Sequence, residues 1–132
     1  MKKYLGIDFG DQYIGVALAE ERSVAIPYTV LRYTKAFWQD IVRIITDESI
    51  TDIVVGWPLS MSGGSNERTS ATAEFIKKMK EHTELPIYRE DERLTSAAAS
   101  RTVSSKKRVD ALAAADILQS YLDSHAGSGI SI

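Results

Sequence analysis

Residues 4–19, with the sequence YLGIDFGDQYIGVALA, decide the fold of this chain. The apolar run from Tyr4 to Phe9 is typical of a buried strand, and the glycine and aspartate that follow it supply a turn. Tyr13 to Ala19 forms a second predicted strand. A third strand, Val24 to Tyr33, contains Pro27, which favours a sheet edge or a bulge because proline cannot donate a ladder hydrogen bond. We therefore predict an antiparallel meander of three strands.

Helices and strands alternate after the meander. In chain order, the predicted elements are a helix with Thr34 as N-cap, a strand at 52–57, a helix around Phe75, a strand at 86–89, a short helix capped by Thr95 or Ser96, and a helix at 110–123. The last helix is expected to bury one face, formed by Leu112, Ala115, Leu118 and Leu122. The order β-β-β-α-β-α-β-α-α predicts an α/β fold. In it, a mixed five-stranded sheet, made of the three-strand meander plus two parallel strands, is covered by helices.

The composition is that of one compact domain. Of the 132 residues, 44% are hydrophobic and 26% are charged, which is ordinary for a globular protein that can bury a core. The absence of cysteine excludes disulfides, zinc–thiolate sites and cysteine nucleophiles. No apolar run is long enough to span a membrane, and no signal peptide is recognisable, so we expect a cytoplasmic protein without membrane contact. We predict a single domain at residues 1–125 and a flexible Gly- and Ser-rich tail at residues 126–132.

Three groups of acidic residues are candidates for chemistry. Asp8 lies in an apolar strand beside two glycines, where an isolated carboxylate needs a partner or a metal ion. Glu90, Asp91 and Glu92 follow the fifth strand. Alternation along an extended chain sends Asp91 and Glu92 to opposite faces, so only one of them can face Asp8. Asp110 is expected at the start of the last helix.

Each acid also has a purely structural interpretation: a strand end that accepts backbone hydrogen bonds, a solvated acidic loop, and a helix cap. As a set, carboxylates without cysteine or a histidine cluster favour hard cations such as Mg²⁺ or Mn²⁺. We interpret His82 and His125 as surface residues, because neither has a companion at metal-ligand spacing.

Basic residues lie close to two of these acids, although the formal net charge is −2. Such a local group would hold phosphates beside a metal centre. The candidate substrate-binding cations are Arg93, Arg101, Lys106, Lys107 and Arg108.

A loop of small polar residues follows the fourth strand. Residues 59–65 include Gly63 and Gly64, which tolerate unusual backbone dihedrals. Because α/β sheets bind ligands beyond their strand ends, we predict a mobile loop that borders the acids.

Four blocks of the sequence resemble, in order, the motifs of one bacterial family. GIDFG at residues 6–10 with IGVA at 14–17 resembles the opening of the YqgF family. Its members are nucleases assigned to pre-16S rRNA and are also described as Holliday-junction-resolvase-like proteins. Similar to its later motifs are VVGWPL at 54–59 with MSG at 61–63, DERLTS at 91–96, and DALAA at 110–114 with ILQSYL at 117–122.

The resemblance implies an RNase H-like fold and a catalytic site in which Asp8, Glu92 and Asp110 bind two Mg²⁺ or Mn²⁺ ions, Asp8 bridging them. It selects Glu92 over Asp91. Thr95 or Ser96 would orient Glu92 or touch a phosphate. The implied reaction is phosphodiester hydrolysis at the 5′ end of pre-16S rRNA. The implied partners are precursor rRNA and a pre-ribosomal particle, with the chain a monomer or weak homodimer.

The sequence also departs from the family pattern. Trp57 stands where the family commonly has a smaller aliphatic residue, and the segment 97–107 is shorter than usual and lacks glycine. The short segment concerns the shape of the substrate-binding arm, and it leaves the three acids untouched.

Three other functions compete with the processing of precursor rRNA. A Holliday junction resolvase acting on four-way DNA would use the same acids. A nucleotide-binding module is suggested because residues 6–15 also resemble the phosphate hairpin of actin-like and sugar-kinase-like ATPases. Those proteins bind ATP in a cleft between two lobes. This chain has the length of a single lobe, so two copies would have to dimerise to form such a cleft. A catalytically silent ribosome-assembly factor would not need all three acids.

Overall fold

A mixed sheet with helices on both faces forms the body of the molecule. The computed structural model describes residues 1–94 and 106–126. Their strands are β1 (Lys3–Asp8), β2 (Tyr13–Glu20), β3 (Ile26–Arg32), β4 (Asp52–Trp57) and β5 (Ile87–Asp91). Their helices are α1 (Ala36–Asp47), α2 (Glu67–His82) and α3 (Lys106–Ala126), with a 3₁₀ turn at Glu92–Leu94. The short helix predicted after Thr95 or Ser96 lies outside the described residues, as do residues 127–132 of the predicted tail.

The sheet has the predicted topology. Its strand order is β3-β2-β1-β4-β5. The pairs β1–β2 and β2–β3 are antiparallel, whereas β1–β4 and β4–β5 are parallel. The prediction of a meander plus two parallel strands is therefore confirmed. Pro27 lies on the edge strand β3 and pairs with Ala17, where the register shifts between Val16 and Ala17, so both expected consequences of this proline occur.

The two faces of the sheet have separate cores. Leu5 and Ile7 point to the face that α1 and α2 cover, where they pack with the fully buried Phe37 and Phe75. Full burial of side chains of this size contributes about 1.5–3 kcal/mol each. The alternate residues of β1 point to the opposite face, where Tyr4 packs with residues of α3.

Helix α3 lies unusually close to β1. A Cβ atom on Gly6 would be only 2.8 Å from Cβ of Leu118 and 3.1 Å from the carbonyl oxygen of Ala114. This approach requires small residues on both elements, and Ala113 and Ala114 of the helix are fully buried. The close fit fixes where the N-terminal end of α3 reaches the sheet.

The predicted start of α3 is wrong, and one of the four residues predicted for its buried face is exposed. The helix begins at Lys106, so Asp110 lies in its second turn and is neither its N-cap nor a first-turn residue. Lysine and arginine are good helix formers, which explains why the helix extends over the basic run. Of the predicted buried face, Ala115 and Leu118 are buried and Leu122 packs against the core, whereas Leu112 is 45% exposed. The helix turns Ala113 and Ala114, both fully buried, toward the sheet together with Leu118.

The start of α1 also differs from the prediction, and α2 begins at a cap for which no prediction was made. Helix α1 begins at Ala36 with Lys35 at its N-cap, although the Thr34 hydroxyl accepts a hydrogen bond of 3.3 Å from the Ala36 amide. Helix α2 is capped by Asn66, whose side chain accepts from the Thr69 amide at 3.0 Å. The Thr69 hydroxyl accepts in turn from the Asn66 amide at 3.1 Å, which completes a capping box.

Candidate functional site

Asp8 is the last residue of β1 and is 2% exposed. The sheet residues on both sides of it are glycines. Gly15 of β2 is its cross-strand partner, and Gly56 of β4 follows Val55, the partner of Ile7. Since side chains alternate along a strand, Asp8 shares with Gly6 the face that α3 covers. The carboxylate therefore lies between two positions that have no side chain.

Gly15 lies directly beneath the backbone of Asp110. A Cβ atom on Gly15 would be 1.9 Å from the carbonyl oxygen of Asp110 and 2.4 Å from its carbonyl carbon. The second turn of α3 therefore touches the sheet at the level of Asp8. Asp110 itself is half-buried.

Glu92 reaches the same face from the other side of Asp8. A Cβ atom on Gly56 would lie 2.8 Å from Oε2 of Glu92 and 2.6 Å from Cδ1 of Ile117 in α3. Glu92 follows β5 directly and is 4% exposed. The absence of a side chain at position 56 is what lets this carboxylate lie against the sheet.

The geometry therefore brings the carboxylates of Asp8 and Glu92 and the backbone of Asp110 to one face and one end of the sheet. Asp8, Glu92 and Asp110 come from a strand end, a post-strand turn and a helix, respectively. Within residues 1–94 and 106–126, no three acidic or histidine side chains are close enough to form a ready metal-binding group. Carboxylate oxygens are nevertheless the ligands that hard divalent cations prefer, and Asp8 and Glu92 offer them from almost fully buried positions on a common face.

Alternation after β5 separates Glu92 from Asp91 as expected. Glu90 points toward α3, where the Ser120 hydroxyl donates a hydrogen bond of 2.7 Å to its Oε2 atom. Glu92 points the same way, whereas Asp91 pairs with Arg93. The geometry thus selects Glu92 as the acid that shares a face with Asp8.

Arg93, predicted to contact substrate, is engaged by the protein itself. Its Nε donates to both carboxylate oxygens of Asp91 at 3.1 Å, and its Nη2 donates to Oδ2 at 2.7 Å. These side-chain hydrogen bonds are the main reason why the pKa of Asp91 is held below its ordinary value of 3.8. Nη1 also donates to the Met61 carbonyl at 3.3 Å. Arg93 therefore ties the turn that contains Glu92 to the loop after β4.

The glycine loop lies where it was predicted, beside the segment that carries Glu92. Gly63 has a φ of +96°, and a Cβ there would be 3.3 Å from Nη1 of Arg93. The loop is closed by hydrogen bonds from the Ser60 amide to the Gly64 carbonyl, 2.9 Å, and from the Gly63 amide to the Ser60 carbonyl, 2.8 Å. Its mobility stays a prediction.

Arg68 is a site residue that the sequence analysis missed. It lies in the first turn of α2, and its Nη2 atom is 3.8 Å from Oε1 of Glu92. Its side chain is 48% exposed, so a cation is available at the open side of the buried carboxylate. The available signal was its position directly after the glycine loop and the helix cap.

The remaining predicted contacts fall at the border of the described structure. Lys106, Lys107 and Arg108 form the first turn of α3, while Thr95 and Arg101 lie outside the described residues. His82 and His125 are exposed, as expected, and stack on Trp38 and Tyr121 with ring centroids 4.6 Å and 4.0 Å apart. No helix of residues 1–94 and 106–126 has the length and hydropathy needed to cross a membrane.

The architecture is shared with solved resolvases of the RNase H-like class. The RuvC protein of T. thermophilus, solved in complex with a Holliday junction substrate, matches with a TM-score of 0.61 at 12% identity, over 96% of this chain and 97% of that one. The fowlpox virus Holliday junction resolvase matches with a TM-score of 0.56 at 16% identity, over 92% and 99%. At these identities the likeness shows the fold, and the predicted RNase H-like fold is confirmed.

The family is shown by sequence. The model of the family described as "RuvX: Holliday junction resolvase" matches residues 2–124. A candidate pre-16S rRNA nuclease of Ruminiclostridium cellulolyticum is 39% identical over 96% of this chain and 97% of its own length. Another from Geobacillus thermodenitrificans is 38% identical over 91% and 96%. The chain belongs to the RuvX family, also called YqgF, which confirms the resemblance, and it is a nuclease.

Proposed function

We propose that this chain is a metal-dependent endonuclease that processes the 5′ end of pre-16S rRNA. The observation that supports the proposal is that Asp8, Glu92 and the backbone of Asp110 lie on one face at one end of the sheet, with Gly15 and Gly56 beside Asp8. Phosphodiester hydrolysis in this class of site depends on carboxylates that hold a divalent cation. The choice of precursor rRNA rests on the names of the relatives.

Asp8, Glu92 and Asp110 would hold Mg²⁺ or Mn²⁺, with two ions in the proposed arrangement. When bound, the ions would supply an activated water and stabilise the leaving oxygen. Burial of Asp8 and Glu92 limits their access to water, which strengthens their attraction for a cation. Asp110 projects from a helix whose position over Gly15 is set by tight packing, so its backbone cannot easily move away.

The cations around the acids would hold the phosphates of the substrate. Arg68 stands at the open side of Glu92, where its guanidinium can leave a weak, half-exposed ion pair for a phosphate. The basic run that precedes Asp110 in α3 would contact the phosphate backbone of the RNA, together with Arg101 and Thr95. This run consists of Lys106, Lys107 and Arg108. Arg93 would act indirectly, because its bonds to Asp91 and Met61 hold the turn that carries Glu92.

The proposed setting is the cytoplasm. There the chain would act on precursor rRNA, within or near a pre-ribosomal particle, as a monomer or weak homodimer. A formal net charge of −2 suits an enzyme delivered to its substrate by a larger assembly better than one that coats nucleic acid.

Resolution of four-way DNA junctions is the second candidate function. It is favoured by the shared fold with RuvC and with the fowlpox virus resolvase. The same carboxylates would serve it, so the two candidates differ in substrate and not in chemistry. A nucleotide-binding module and a silent assembly factor are the less favoured alternatives.

A cleavage assay with a matched pair of variants tests the proposal. Asp8→Asn should reduce cleavage of precursor rRNA in Mn²⁺ by at least about 100-fold, and a chelator should abolish the parent's activity. Asp52→Asn is the control, because Asp52 is also a buried aspartate but pairs with Tyr4 at the opposite end of β1. Equal activity of Asp8→Asn and the parent would refute the proposal that the chain is an enzyme. Cleavage of four-way DNA in preference to RNA would refute only the proposal that precursor rRNA is the substrate.

A further inference from the structure

A groove of about 410 Å³ lies on the opposite face of the sheet from the three acids. It is bounded by α2 on one side and by β4 and the edge strand β5 on the other. Its lining consists of Trp57, Ala73, Ile76, Lys80, Ile87 and Arg89. The volume falls in the range of ligand sites, which is about 300–1,000 Å³. Nothing in the proposed catalytic site uses this groove.

The lining combines an aromatic surface with positive charge. The guanidinium carbon of Arg89 lies 4.4 Å from the centroid of the Trp57 ring, and Lys80 reaches the groove from α2. Trp57 is only half-buried, and both cations are exposed. Among the described residues, no acidic side chain belongs to the lining, although the chain as a whole carries more acids than bases. This local composition is complementary to a polyanion with planar, apolar groups.

The groove starts at the catalytic end of the sheet. Trp57 follows Gly56, the residue against which Glu92 lies, and pairs with Asp91 across the strands. Ile87 is level with Ile53, four residues earlier in β4, so the groove extends about 13 Å away from the site along the sheet. Ala73 and Lys80 are seven residues apart in α2, or about 10 Å. At about 3.4 Å per stacked nucleotide, a groove about 10 to 13 Å long holds about three to four nucleotides.

We propose that this groove binds a single-stranded RNA segment that flanks the scissile phosphate. Arg89 would leave the face of Trp57 for a phosphate, a base would stack on the ring in its place, and Lys80 would hold a further phosphate. The inference rests on the proposed function, because it assumes that the cut strand lies at Asp8, Glu92 and Asp110. Aromatic rings beside cations are how proteins bind single strands without reading their sequence, since every base has a stacking face. The groove would make the enzyme prefer cleavage sites that carry an unpaired extension.

Binding of matched RNAs to the Asp8→Asn variant, which keeps the RNA intact, tests the groove. One RNA is a hairpin with a four-nucleotide single-stranded extension, the second is the same hairpin with a blunt end, and the third has the extension paired into a duplex. We expect the single-stranded extension to raise the affinity about tenfold. Trp57→Leu, and separately the double variant Lys80→Ala with Arg89→Ala, should remove that gain and leave blunt-hairpin binding unchanged.

Arg43→Ala is the matched control, because Arg43 is an exposed cation of α1 that pairs only weakly with Asp40 at 3.7 Å. The double variant changes exposed side chains alone, so it tests the groove even if Trp57→Leu is unstable. Equal affinity for extended and blunt hairpins, or a gain that survives both sets of substitutions, would overturn the inference. A preference for a DNA extension over RNA would also overturn it. Failure of the nuclease proposal would give a different result: the parent would not cleave RNA, although binding would still depend on the single-stranded extension.

Discussion

Replacement of Gly15 by alanine should damage the catalytic site more than the fold. The new Cβ would lie 1.9 Å from the carbonyl oxygen of Asp110, and Cβ contacts below 3.0 Å essentially do not occur. The carbonyl must therefore retreat by at least about 1.1 Å, and because it is backbone, the second turn of α3 must move with it. Overpacking of this kind costs about 1–3 kcal/mol of unfolding free energy. A displacement of about 1 Å at a catalytic group lowers the rate about 100-fold.

Gly6→Ala is the control for this prediction. It also inserts a methyl group between β1 and α3, but its nearest contact is Cβ of Leu118 at 2.8 Å, so a movement of about 0.2 Å relieves it. We expect urea unfolding to show a modest loss of stability for both variants, and cleavage assays to show a large loss for Gly15→Ala alone. If Gly15→Ala cuts RNA and binds Mn²⁺ as the parent does, Asp110 is not part of the site.

Three further predictions concern charges near the site and the far end of α3. Arg68→Ala should lower the cleavage rate about 10- to 100-fold, because it removes a cation that would hold a phosphate of the RNA. The unfolding free energy should change by less than about 0.5 kcal/mol, because the ion pair of Arg68 with Glu92 is half-exposed. Unchanged steady-state cleavage rates would contradict a role of Arg68 in holding phosphate. Arg93 lowers the pKa of Asp91, so the pair stabilises the fold above about pH 3.8 and loses this effect as the pH falls through the lower pKa of the folded state. Arg93→Ala should therefore have a lower unfolding free energy than the parent at pH 6. In urea unfolding at pH 3, the difference in unfolding free energy between the two proteins should be smaller. Burial raises the pKa of Tyr121 to about 12, so stability should fall as the pH rises from 10 toward 12, and Tyr121→Phe should show a smaller fall in the same urea titration.

The sheet could be predicted from the sequence because its signals are local. The apolar run at Tyr4–Phe9 and the alternation in Tyr13–Ala19 set two strands, and Pro27 placed the third at an edge. The strand at 52–57 was predicted with its observed ends. Each of these features depends on residues that are neighbours in sequence, so no knowledge of tertiary packing was needed.

The buried face of the last helix was harder to predict from the sequence, because alanine is common on both buried and exposed helix faces. Ala111, Ala113, Ala114 and Ala115 are all buried, and they cover more than one helical stripe. The predicted face is therefore right at Ala115 and Leu118, which are buried, and wrong at Leu112, which is exposed. What decides the phase is the close approach to Gly6, a contact between residues more than 100 positions apart. The position of Arg68 beside Glu92 could not be predicted for a similar reason, because the distance between these residues depends on the path of the loop after β4.

The choice between Asp91 and Glu92 shows how the two kinds of information combine. Alternation alone sends these acids to opposite faces but does not say which face holds Asp8. The glycine at position 56 decides it, because only the face with no side chain there has room for a second carboxylate beside Asp8. Gly15 does the same for the backbone of Asp110 on the other side. The two glycines are therefore as much a part of the candidate site as the acids, since a side chain at either position would separate them.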